Sequence, residues 1–224
     1  MTRMFENRIV VVTGANGALG RVVRARLADA GATPVGIDLA TDAKAGVLGA
    51  DLADAAAAAK AASEIVSRHG RIDALLNVAG GFRMAPAADL APWDALWKMN
   101  FATALNMTSA VLPGMVQRRA GAIVSIAARA AVERTGAQMG AYAASKAAVI
   151  RLTEALAEEV KDQGVRVNCV LPSIIDTEAN RRAMPDADFG KWVGPEALAD
   201  VLLFLCSDQA VAINGAAIPV YGRV

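Results

Sequence analysis

Histidine is almost missing from this chain. Among 224 residues only His69 is one, and cysteine appears only as Cys169 and Cys206. A catalytic zinc site draws on clusters of these residue types, so no metal site is expected. The two cysteines lie in the apolar stretches VNCVL and LFLCS and read as buried free thiols. No apolar run reaches the roughly 18 residues that span a bilayer, so no membrane partner is expected. The N-terminal MTRMFENRIVVVTG passes straight into a strand-like run, without a signal peptide's separate apolar region and cleavage site. A cytoplasmic location is the resulting expectation. An excess of one charge is also lacking: 23 Lys and Arg face 22 Asp and Glu, a formal net charge of +1. That balance gives no electrostatic footprint for a nucleic acid.

What the chain does have is apolar content, 55% of its residues. Its length suits one sizeable α/β domain over residues 1–224 and is short for two. Strand-like runs alternate with helical segments. RIVVVTG, TPVGID, AGVLGADL, DALLNVAG, GAIVSIA, VRVNCVLP and AAIPVYG read as strands. Helices are predicted over Gly20–Ala30, Asp54–Arg68, Pro92–Arg118, Tyr142–Gln163 and Pro195–Ser207. The third of these is expected to be disturbed at Pro113. Alternation of this kind argues a parallel sheet covered on both faces, and the run IVVV fits burial on both sides.

The first strand enters its helix through TGANGALG, Thr13 to Gly20, with glycines at 14, 17 and 20. Glycines there let backbone approach a pyrophosphate and aim a helix N-terminus at it, so Gly14, Asn16, Gly17, Ala18, Leu19 and Gly20 are candidate cofactor contacts. Asp38 ends the second strand. A carboxylate there accepts from a ribose diol and repels a 2′-phosphate, and Leu39 and Ala40 bring no cation. NAD(H) is therefore expected over NADP(H). Asp51 and Leu52 are candidates to frame the adenine. Asn77, Ala79 and Gly80 would lie beside the cofactor after the fourth strand.

TGANGALG, NVAG, Met99-Asn100 and YAASK occur in order and at matching intervals. Together they resemble the short-chain dehydrogenase/reductase family over essentially the whole chain. The resemblance implies a single doubly wound Rossmann domain with a seven-stranded, mainly parallel sheet in the order 3-2-1-4-5-6-7. It implies Tyr142 as general acid/base, with Lys146 lowering the phenol's pKa and holding the nicotinamide ribose. Asn100 would anchor a water in the proton relay. Pro172, Ile174 and Thr177 would join the cofactor contacts. The two long helices, carrying Ala104, Ala147, Ala148 and Leu152, would pair across a two-fold axis into a homodimer or homotetramer.

The family's serine, which donates to the substrate carbonyl, has no counterpart. Its position falls on Ala128, or on Ala127 if the loop is shifted by one. Ser125 lies inside the fifth strand and is no substitute. Losing such a donor costs roughly 2.7–4 kcal/mol in an oxyanion site. Three explanations are open: a substrate that needs no such donor, an engineered knock-out, or a chain that has stopped catalysing. LPSIIDTEANRRAMPDADFGKW, Leu171 to Trp192, is similar to the dihydropteridine reductases of the superfamily, as are VAGGF and AARAA. That branch also lacks the serine and uses NADH to reduce a quinonoid dihydropterin, in which no localised alkoxide develops. Residues about 173–194 would form a substrate-side flap. Gly81, Phe82, Ala128, Phe189 and Trp192 are the candidate substrate residues. The alternatives are an NAD(H)-dependent enzyme acting on another carbonyl, imine or quinonoid substrate, and a dinucleotide-binding sensor without turnover.

Overall fold

The computed structural model describes residues 4–224. Seven strands form one sheet in the order β3-β2-β1-β4-β5-β6-β7, and every pairing is parallel. The strands are β1 (Ile9–Thr13), β2 (Thr33–Asp38), β3 (Val47–Gly49), β4 (Ala74–Asn77), β5 (Gly121–Ile126), β6 (Val165–Pro172) and β7 (Ala217–Val220). The helices are α1 (Ala18–Asp29), α2 (Ala55–His69), α3 (Ala91–Trp97), α4 (Thr103–Arg118), α5 (Gly140–Val160), α6 (Glu178–Ala183) and α7 (Pro195–Cys206). Among the described residues no helix is long and apolar enough to cross a membrane.

The two faces of the sheet explain the apolar runs. Val10 and Val12 pack with Leu19, Val23 and Leu27 of α1 and Leu198 and Leu202 of α7. Ile9 and Val11 point the other way, onto Ile65 of α2, Met107 and Val111 of α4 and Val160 of α5. Alternate residues of one strand thus feed two cores, so no position of β1 can be polar outward.

Local chemistry sets the helix ends. The alanine-rich α2 begins where the Asp54 carboxylate accepts from Ala56 N at 2.7 Å and Ala57 N at 3.3 Å. It stops at Gly70, whose φ of 82° is the left-handed conformation that glycine enters without a Cβ penalty.

The stretch predicted as one helix from Pro92 to Arg118 divides differently. Between α3 and α4 a π-helical turn, Lys98–Ala102, holds one extra residue, and Pro113 sits inside α4. The disturbance therefore lies well before the proline. The short α6, and Ile175 bridging Val193 in parallel, were not expected from the pattern; both lie in the segment that follows β6. Ala104 is already covered within the chain at 4% exposure, which removes it from any contact with a second copy.

Candidate active site

The carboxyl ends of β1, β2, β4, β5 and β6 face one edge of the sheet, and the strand order reverses between β1 and β4. In open parallel sheets this is where ligands bind. The turn from β1 to α1 is held by backbone contact. Gly14 has φ 64°, and a Cβ there would lie 2.9 Å from both N and Cα of Ala79. A Cβ on Gly20 would collide with the Gly14 carbonyl. Thr13 Oγ1 accepts from Val78 N and Ala79 N, each at 3.0 Å, which fastens the end of β4 to the same turn. Gly17 caps α1 without any side-chain bond. The first amides of a helix lack intrahelical acceptors, so that end suits an anion. Gly17 and Ala18 are exposed at its tip, whereas the Leu19 side chain belongs to the core.

Asp38 closes the cradle on the other side. Its carboxylate accepts from Asn16 N at 2.8 Å and Leu39 N at 2.8 Å, and Asn16 Nδ2 donates to Ala40 O at 3.1 Å. Arg24, packed beside β2 at Gly36, gives its guanidinium to the Ala45 carbonyl. Asp51 is exposed and accepts from Ala53 N at 3.0 Å, and Leu52 is buried. Asn106 of α4 donates to the Leu52 and Ala53 carbonyls at 3.0 and 3.1 Å, a tie the sequence reading missed. The backbone cradle, its open helix end and the carboxylate at the end of β2 fit a dinucleotide.

Asn77 is anchored inside the sheet. Its Nδ2 donates to Thr108 Oγ1 at 3.0 Å and Ser125 Oγ at 3.2 Å. Both amide protons are used inside the molecule, so the side chain offers no donor to a cofactor. These bonds also bury the Ser125 hydroxyl.

Tyr142 and Lys146 stand one turn apart on α5. Lys146 Nζ donates to Ile126 O at 2.7 Å, joining α5 to the end of β5. Burial lowers the Lys146 ammonium from its ordinary 10.5 to about 8. Burial also pushes the Tyr142 phenol up, from 10.0 to about 12. Removal of the phenolate from water sets the direction of that shift.

Asn100 lies in the π-helical turn and is 1% exposed. Its carboxamide clamps Gly81 from both sides, accepting from Gly81 N at 2.9 Å and donating to Gly81 O at 3.1 Å. Its second amide proton goes to Ser145 Oγ at 3.0 Å. The Asn100 carboxamide is thus fully engaged within the protein. A Cβ on Gly80 would lie 2.7 Å from Asn100 Oδ1 and 3.1 Å from Lys146 Nζ, so glycine there lets the two groups share one corner.

Beyond Gly81, the Phe82 ring meets the Tyr142 ring edge-on, with centroids 4.9 Å apart and planes at 85°. Phe82 is 56% exposed and so is not a core residue. Ala127 packs in a cluster with Val149, Ile150, Cys169 and Leu171. Ala128, next in an extended backbone, stands on the opposite side and opens a 3-10 turn, Arg129–Ala131. Both alanines are buried, Ala127 at 1% and Ala128 at 3% exposure.

After β6, the Thr177 hydroxyl accepts from Asn180 N at 3.2 Å and so caps α6. Pro172 is buried and Ile174 half-buried, with the Ile174 carbonyl accepting from Val193 N at 2.9 Å. Phe189 and Trp192 stack at 4.8 Å, with Arg181 over the Phe189 ring. Cys169 and Cys206 are buried free thiols, and no group of residues able to hold a metal occurs among the described residues.

Comparison with known proteins agrees with this arrangement. The D-threitol dehydrogenase of Mycolicibacterium smegmatis is 34% identical over 97% of this chain and 92% of its own length. The meso-2,3-butanediol dehydrogenase of Serratia marcescens is 32% identical over 97% of this chain and 94% of its own. A short-chain type dehydrogenase/reductase from Mycobacterium ulcerans superposes with a TM-score of 0.91 at 26% identity, covering 97% of this chain and 90% of that one. The family model described as short chain dehydrogenase matches residues 8–188, through β1, the glycine turn, the α5 pair and β6. The chain belongs to the short-chain dehydrogenase family.

Proposed function

We propose that the chain is an NAD(H)-dependent oxidoreductase that reduces a conjugated, electron-poor ring, and that its substrate is a quinonoid dihydropteridine taken to the tetrahydro form. The observation that carries this reading is the methyl group of Ala128 where a carbonyl-reducing site would hold a hydroxyl. Ala127 is packed into the core, and the Ser125 hydroxyl is tied to Asn77. Neither neighbour supplies the lost donor. A quinonoid ring spreads the incoming charge, so no single oxygen needs it.

Members of this family work with nicotinamide dinucleotides. Gly14, Gly17, Gly20 and Asp38 would hold that group, which supplies a hydride when bound. NAD(H) is favoured because a 2′-phosphate would face the Asp38 carboxylate. Tyr142 is the proton donor. With its phenol pushed up to about 12, it keeps its proton through the neutral range. Lys146, protonated below about 8, stands over the corner where the nicotinamide ribose would lie. Phe82 on one side and Phe189 with Trp192 on the other supply flat apolar walls. We read residues 173–194 as a flap over that space in a single domain. The exposed Trp97 and Met99, beside Phe101, support pairing with a second copy through the α3–α4 region.

The relatives named above favour a second reading, oxidation of a secondary alcohol and reduction of its ketone. One experiment separates the two. NADH oxidation is measured with chemically generated quinonoid dihydropterin and with a panel of ketones, for the parent, Ala128→Ser and Ala127→Ser. The first reading expects pterin turnover that Ala128→Ser changes by less than about tenfold, or roughly 1.4 kcal/mol. A gain of about 10²–10³ on a ketone, with weak pterin turnover in the parent, would establish the second. Titration should also show NADH binding more tightly than NADPH, and equal affinities would remove Asp38 from its role.

A further inference from the structure

Within α5, between Tyr142 and Lys146, Ser145 is 1% exposed, so its hydroxyl does not open onto solvent. Its hydroxyl is nonetheless fully engaged. It accepts from Asn100 Nδ2 at 3.0 Å and donates to the Tyr142 carbonyl at 2.8 Å. Asn100 in turn grips both backbone polar groups of Gly81. The next residue is Phe82, whose ring stands against the phenol. Four segments thus meet in one unbroken chain of bonds: the first turn of α5, the π-helical turn, the Gly80-Gly81 backbone and the aromatic pair.

The arrangement contains a choice that a mere filler would not need. A serine inside a helix has its preceding turn as a hydrogen-bond partner whatever lies beside it. Here the same oxygen also takes the second amide proton of Asn100, which has no other acceptor. That bond adds a third anchor to a carboxamide whose rotation the two Gly81 bonds already favour, and holds it in place from the α5 side. Turned over, the carboxamide would set its NH₂ against Gly81 N–H and its oxygen against Gly81 O, repulsive on both sides. The Met99 sulphur stands 2.5 Å from where a Cβ on Gly81 would sit, so glycine leaves room for that side chain.

We propose that Ser145 is a positioning residue: acting through Asn100 and Gly81, it sets where Phe82 stands on the Tyr142 ring, and so where the phenol points. Its effect on rate rests on Tyr142 being the proton donor. Its effect on the ring does not, so the test has one arm independent of any substrate.

The chain has only two tyrosines, Tyr142 and Tyr221. In a Tyr221→Phe background, ring-labelled tyrosine gives a single set of NMR signals. Phe82→Leu removes the ring current and marks how far the Tyr142 signals travel when the pair is broken. Ser145→Ala should move them most of that distance, while Ser145→Thr, which keeps a hydroxyl, should leave them near the parent. In NADH oxidation with the quinonoid dihydropterin, Ser145→Ala should lower kcat roughly tenfold with NADH affinity unchanged, as a misplaced donor does. The double variant with Phe82→Leu should be no slower than the slower single one. Unmoved ring signals in Ser145→Ala overturn the proposal. So does additive loss in the double variant, or a Ser145→Ala protein that no longer folds, since a positioning role leaves the fold intact. If the ring signals move as expected but no pterin turns over, the positioning role stands and the substrate assignment falls.

Discussion

The two sides of the cleft are built by different means. On the cofactor side, backbone does the shaping: Gly14 against Ala79, Gly20 against the Gly14 carbonyl, Thr13 Oγ1 bonded to two amides. On the substrate side, side chains do it, brought from β4, β5, α5 and the segment after β6. A backbone cradle tolerates almost no atom more. A side-chain wall accepts changes of shape and responds with a change of chemistry. One half can therefore stay fixed while the other is rewritten, the change we propose for Ala128.

Three substitutions press on that contrast. The largest effect is expected from Tyr142→Phe. It removes the proton donor, so turnover with the quinonoid dihydropterin should fall by about 10²–10³, while NADH titration and melting temperature stay near the parent. An unchanged rate would mean that the proton comes from water. Gly14→Ala should do the opposite. A left-handed alanine costs roughly 1–2 kcal/mol, and its Cβ would press on Ala79. Both stability and NADH affinity should drop, affinity by about tenfold or more, in calorimetry and fluorescence titration. Intact NADH binding would show that the glycine turn is not the cradle.

The smallest effect concerns pH. Lys146 is lowered by burial from 10.5 to about 8. Between those values the unfolded chain binds a proton that the folded chain does not, so stability rises with pH there. Below about 8 both states are protonated and the burial penalty is constant. Compared with Lys146→Met, the parent should gain up to about 1.4 kcal/mol per pH unit between pH 8 and 10 in urea unfolding. A flat difference would mean that the ammonium is hydrated, and that the substrate half is wetter at its base than the packing indicates.

How much of this could be read from the chain follows the same division. The four apolar residues of β1 and the alternation of strands and helices gave the parallel sheet, because a strand buried on both faces has no polar position left. The glycine spacing located the cradle, since each glycine answers a backbone demand. The inward anchoring of the Asn77 side chain follows from strand parity. Leu75 packs on the α4 face, and two residues on the same period carries Asn77 there too, onto Thr108. The π-helical turn left no trace in the pattern. One extra residue in a turn shifts the register without changing composition, and Pro113 was the more conspicuous breaker. The Ser145–Asn100–Gly81 chain joins residues 64 positions apart at its ends, and no local spacing announces it. The helix cap at Thr177 was not legible, because it depends on a short helix, α6, that the pattern does not predict.

The order of the strands also bears on how the chain is made. β1 pairs with β2 after some twenty residues, but its other neighbour is β4, with Val10 opposite Ala74. A ribosome delivering this chain releases β1, β2 and β3 well before β4. Until then β1 carries an unpaired edge of amides and carbonyls beside its valines. Such an edge is a template for any other nascent strand nearby. β1, an inner strand of the finished sheet, is thus open on its β4 side during synthesis, and α1 and the alanine-rich α2, quick to form because helical contacts are local, emerge in time to shield its two faces.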